Sequence, residues 1–111
     1  MSTRTLKLTL TRQFFEVMVT GEKNEEYRDP SDWISSRLFN GEDERGYDFV
    51  EFTNGYGKDK PRFTARYKGL EIRSRVQKKY SNGATTQITT DVYAILLGEI
   101  VSIENYTIPK S

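Results

Sequence analysis

The amino-acid sequence predicts a small, mostly β domain of the α+β class, a mixed barrel of about five or six strands with short helices near the N-terminus. Three observations carry this. Strand signals recur along the chain, as period-2 apolar alternation in "TLKLTL" and "RFTARY" and as β-prone runs in "YDFVEF" and "DVYAILLGEIVSIENY". Helical spacing is confined to two stretches between residues 12 and 39. Finally, 111 residues with 35% apolar and 13% aromatic content can fill one core but not two, so residues 1–111 read as a single domain.

In "TLKLTL" the leucines at 6, 8 and 10 share one face, as in a half-buried strand. From Arg12 the spacing turns helical through Phe14, Phe15, Val17 and Met18, with Thr11 as N-cap and Gly21 at the C′ position. "EEYRDP" loses that spacing and runs into Pro30, which pushes Asp29 toward extended geometry. "SDWISSRLF" predicts a second short helix, with Trp33 or Ile34 set against Leu38 and "NG" at Asn40-Gly41 closing it. Trp33 reads as a core anchor before it reads as a stacking platform.

An acidic loop, "GEDERG", leads to the strand "YDFVEF", and "TNGYGKDKP" is a substantial loop. In "RFTARYKGLEIRSRV" the apolar parity slips at Gly69, which predicts a bulge or a tight bend between two strands. "QKKYSNGATTQITT" reads as a mobile polar loop. The last strand signal is broken at Gly98 into 92–97 and 99–106, a bend or bulge within a long strand.

Absence of Cys and His removes disulfides, thiolate nucleophiles, histidine-based triads and zinc sites built on nitrogen or sulfur. Any chemistry falls to Lys, carboxylates, Tyr, Ser or Thr, and no metal or cofactor is expected. No segment approaches the roughly 18 apolar residues of a membrane helix, and "MSTRTLKLTL" lacks the apolar run of a secretory signal. The expectation is a reducing, cytoplasmic setting and no membrane partner.

Six of the ten residues in "TGEKNEEYRD", Thr20 to Asp29, are charged. On an extended segment Glu26 and Arg28 share one face, while Glu25 and Tyr27 take the other. Lys23 has the wrong parity to join Glu26 and Arg28 unless the turn after Gly21 re-aims it. A cation pair beside a carboxylate can hold a phosphate and accept a base N–H together; the plainer reading is an ion pair closing one end of a barrel. Tyr27 reads as packing.

Gly21-x-Lys23-x-x-Glu26-x-Arg28 resembles the G-x-K-x-x-E-x-R signature of the ASCH family, the activating-signal-cointegrator homology domains. The strand and short helix before the motif, the "NGYG" loop at residues 54–57 and "LLGEI" at 96–100 agree in order. This resemblance implies a PUA-like barrel with a cleft in which Lys23, Glu26 and Arg28 face a nucleobase-type ligand. Asn54 and Tyr56, on a glycine-opened loop, are candidates for the same cleft.

Charge is uneven: residues 58–79 hold nine Lys/Arg against two Asp/Glu, a block of +7 in a chain whose net charge is +1. Arg62, Arg66, Lys68, Arg73, Arg75, Lys78 and Lys79, interleaved with aromatics, suit phosphates along a groove. They equally suit a solvated face, because Phe63 and Tyr67 take the parity opposite to Arg62 and Arg66. The functional expectation is an RNA or single-stranded nucleic-acid module.

One alternative is the amidohydrolase branch that the resemblance brings with it, acting on N4-acylated cytidine. Its G-x-K-x-x-T-x-R motif places a nucleophilic Thr where this chain has Glu26, and a carboxylate cannot take over a hydroxyl's acyl-transfer role. No acidic residue lies between Glu71 and Asp91 to supply that branch's later Glu. A protein-interaction domain is the other alternative.

Overall fold

In the computed structural model, which describes residues 3–109, the chain is mostly β with two short helices. The alternating leucines form β1 (Thr5–Leu10), and α1 (Arg12–Val19) follows at once. Its C-terminal turn is closed by the Gly21 amide donating to Met18 O at 3.0 Å, with Gly21 at φ 86°, a left-handed conformation that side chains resist. Next come β2 (Glu25–Arg28) and α2 (Asp32–Leu38), which is capped by Ser31 accepting from the Ile34 amide at 3.2 Å.

The second helix departs from expectation at both ends of its sequence. Asn40-Gly41 does not close it: the chain is already extended at Phe39, and Gly41-Glu42 turn a small hairpin, β3 (Phe39–Asn40) and β4 (Asp43–Glu44), with Asn40 paired to Asp43. Trp33 is not a core anchor, since Ile34 and Leu38 are buried while Trp33 lies 52% exposed.

Downstream lie β5 (Phe49–Asn54), β6 (Arg62–Arg73), β7 (Val76–Lys79), β8 (Thr85–Ile88) and β9 (Val92–Glu104). The parity slip near Gly69 is a set of register shifts between Thr64 and Gly69 within one continuous strand, opposite β9. At Gly98 β9 carries the expected bulge without breaking: Ala65 pairs with Ile100 and Tyr67 with Leu97, so Gly98 and Glu99 face Arg66 alone, and a Cβ on Gly98 would come within 3.2–3.3 Å of Lys68 and Arg66 atoms. Residues 77–90, expected as a mobile polar loop, instead supply all but Val76 of the β7–β8 hairpin.

Five strands make one sheet in the order β1-β5-β6-β9-β2, parallel between β1 and β5 and antiparallel elsewhere. Its ladder is open, with β1 and β2 at opposite edges. Those edges nevertheless meet: Arg28 on β2 donates from its guanidinium to Thr9 O on β1 at 2.7 Å. The sheet therefore curls around its buried face.

That face holds Leu6, Leu8, Val50, Phe52, Phe63, Ala65 and Ile95, covered by Phe15, Met18 and Val19 of α1 and by Ile34 and Leu38 of α2. Phe63 sits edge-on to Phe15 at 5.3 Å and beside Phe52 at 5.2 Å between ring centroids. A smaller cluster of Val17, Tyr80 and Ala84 pins the β7–β8 hairpin to α1.

Candidate functional site

The turn that ends α1 decides where Lys23 goes. With Gly21 left-handed, the Lys23 amide reaches back to Val17 O at 2.9 Å and its side chain enters the protein, 4% exposed. Its ammonium donates to Glu26 Oε1 at 3.1 Å and to Glu25 O, and faces Met18 Sδ at 3.7 Å. The rings of Tyr27 and Phe14 flank it at 4.9 and 5.3 Å from their centroids.

Glu26, 7% exposed, is shared: Oε1 takes Lys23 and Oε2 accepts from Arg28 Nε at 2.9 Å. The result is a Lys–Glu–Arg chain whose far end is the Arg28 contact with Thr9 O across the sheet edges. Burial lowers the Lys23 pKa, and the neighbouring Glu26 carboxylate opposes that shift without cancelling it.

Lys23 and Glu26 form part of the wall of a concavity of about 300 Å³, with Phe14, Tyr27, Asp29 and the β8 residues Thr85–Ile88. Thr86 is buried, its hydroxyl 3.0 Å from Tyr80 OH. Tyr27 donates to Glu25 Oε1 at 2.9 Å, and burial, then that carboxylate, raises the Tyr27 pKa above its ordinary value. Glu25 also receives Arg73 at 3.2 Å; burial pushes the Glu25 carboxyl up, but the Arg73 and Tyr27 hydrogen bonds outweigh it and leave its pKa lowered.

The β8 wall is held from its tip. Glu22 accepts from the Ser81 amide at 2.8 Å and from the Ser81 hydroxyl, which lowers the Glu22 pKa. Asn82 donates to Gln13 O at 2.9 Å.

The structure thus gathers Lys23, Glu26 and Arg28, and puts Asn54 and Tyr56 elsewhere. Asn54 pairs with Leu10 in the β1–β5 ladder, and Tyr56, 84% exposed, borders a different concavity beside Trp33. The basic block divides. Arg62 lies 3.6 Å from Glu51 and 3.8 Å from Glu104, Arg66 pairs with Glu99 at 2.8 Å, and Arg73 binds Glu25 and Glu71. Lys68, Arg75, Lys78 and Lys79 are exposed and form no ion pair among the described residues, the last three on or beside the hairpin that walls the Lys23 pocket.

Tyr27, read from sequence as packing, lines the pocket, and Phe14, Thr85, Thr86 and Gln87 are further lining residues that the sequence did not single out. The signal for the last three was present in "YSNGA", a turn between two stretches able to pair as strands. Among the described residues no helix is long and apolar enough to cross a membrane, and no three acidic side chains gather as metal ligands. Comparison with protein-family models, curated proteins and solved structures finds no match.

Proposed function

We propose that this chain is an ASCH-like nucleic-acid-binding module that takes a nucleobase or modified nucleoside, from RNA or a single-stranded segment, into the pocket between α1, β2 and β8. The observation that carries it is the buried Lys23–Glu26 pair set in the wall of a 300 Å³ concavity between the Phe14 and Tyr27 rings. Glu26 offers unshared lone pairs to a base N–H, the Lys23 ammonium favours a ring carbonyl, and the aromatic rings offer π-faces. Arg75, Lys78 and Lys79 supply cations for the phosphates. On this reading the open ladder is a PUA-like barrel, closed by the Arg28 side chain instead of a backbone ladder. It places the module in the cytoplasm.

Short single-stranded RNA and individual nucleosides, titrated at two salt concentrations, test this. RNA affinity is expected to fall as salt rises, and Glu26→Gln to weaken nucleoside binding about tenfold, the scale of a lost charge-assisted hydrogen bond. No RNA binding at low salt would end the proposal.

A second reading, hydrolysis of an N4-acylated cytidine, is favoured by one observation: the lowered Lys23 pKa in a pocket that Thr85 and Thr86 also line. Incubation with N4-acetylcytidine decides it. Cytidine and acetate released by the parent and lost in Lys23→Ala would establish the enzyme.

A further inference from the structure

A second concavity, of about 270 Å³, opens beside the β1 edge, bordered by Trp33, Tyr56, Gly55, Gly57, Lys7 and Glu51. Trp33 and Tyr56 are 52% and 84% exposed, the two largest exposures among the aromatic residues of the described chain that the core does not hold. Two aromatic rings left in water around one cleft bury little of the surface that such rings otherwise remove from solvent. Neither contributes to the core.

What surrounds them is cationic. The Arg37 guanidinium covers one side of the Trp33 ring at 5.0 Å, and the stem of Lys60 lies alongside Gly55 and Gly57. Glu51, the one carboxylate in the lining, is offset by Lys7 at 3.9 Å and Arg62 at 3.6 Å. Thr9 also lines this cleft, and its carbonyl is the group held by Arg28, whose Nε binds Glu26. The two concavities are thereby joined through a single side chain.

We propose that the Trp33–Tyr56 cleft is a second binding site, in which bases of a single-stranded nucleic acid stack on the two rings while Lys7, Arg37 and Lys60 meet its phosphates. It extends the nucleic-acid reading above with a site on the other side of Arg28. Aromatic-lined grooves also take proline-rich peptides, but such peptides carry no charge for the cations around this one. Stacking tolerates every base, so this site contributes affinity, and discrimination is left to the Lys23 pocket.

Trp33 is the only tryptophan in the chain, so its fluorescence reports this cleft alone. Titration with a single-stranded RNA of about ten nucleotides, a length within the range that single-strand-binding folds cover, is expected to quench it saturably. Tyr56→Ala is expected to weaken binding of the same RNA, followed by anisotropy of an end label, about tenfold, whereas Tyr56→Phe retains it. Because Tyr56 projects into solvent, these variants keep the fold. RNA bound with no quenching and with Tyr56→Ala unchanged would overturn this site while leaving the Lys23 pocket standing, its loss then being read from Glu26→Gln. Quenching by a proline-rich peptide but not by RNA would overturn it in favour of a peptide groove, and absence of any RNA binding would remove both proposals.

Discussion

Glu26 has two cationic partners and almost no water, so its loss is felt twice. Glu26→Ala leaves Lys23 and Arg28 without their shared anion, and breaking a buried pair in this way costs about 3–5 kcal/mol; urea denaturation is expected to show it. Glu26→Gln, which keeps a carbonyl oxygen for one of them, is expected to cost less. Lys23 gives a pH signature of definite sign. Its pKa in the folded protein lies below the ordinary 10.5, so between the two values the unfolded chain holds more protons on this residue. Stability relative to Lys23→Met should therefore rise as pH climbs toward 10.5, and a flat difference would show that the amine is not desolvated. Part of this was legible from parity alone, since Glu26 and Arg28 must share a face of any strand. The place of Lys23 was not, because it depends on one left-handed glycine and on a backbone hydrogen bond that no side-chain pattern encodes.

At the level of elements, the β7–β8 hairpin buries one strand residue, Thr86, and is held at its tip. Glu22 holds Ser81 with a pKa below the ordinary carboxylate value, so the latch is complete above that value and is lost as pH falls through the lowered one. Glu22→Gln is expected to speed amide exchange across residues 76–88 at neutral pH while β5 and β6 keep their protection; equal protection in both proteins would mean the tip holds nothing. Gly69, at φ 129°, makes a second point: Gly69→Ala should cost about 1–3 kcal/mol by backbone strain, with nothing within 4 Å to clash. β1 was readable because burial of one face imposes a period of two, and β9 because its first six residues form a continuous apolar run. The hairpin showed only through its turn, "YSNGA", since of its eight strand residues Thr86 alone is buried, and polar strands look like loops. Asn40-Gly41 misled for the opposite reason: a left-handed glycine suits a helix end and the first turn position of a hairpin alike, and with Phe39 already extended, Gly41 opens a turn with Glu42.

Across the whole molecule, the +7 block behaves as two populations. Arg62, Arg66 and Arg73 are tied to carboxylates that come from other parts of the chain or, for Glu71, from the same strand, so a count along the sequence overstates the free charge. Replacing Arg75, Lys78 and Lys79 together by Gln should reduce the magnitude of the salt slope of RNA binding by about 2, taking about 0.7 per phosphate contact on single strands, whereas Arg66→Gln should leave it unchanged. The opposite ranking would return the nucleic-acid surface to the β6 arginines.

The meeting of β1 and β2 through Arg28 also has a mechanical meaning. Among the described residues no backbone ladder crosses that line, so the two borders can part without unzipping any strand pair. Pulled apart at residues 7 and 27, the domain should yield along this seam at low force, in one early step, before the β5, β6 and β9 ladders shear. Arg28→Met should erase that step and leave the later one in place. The residue that anchors the pocket's carboxylate is, in this sense, also the clasp of the fold.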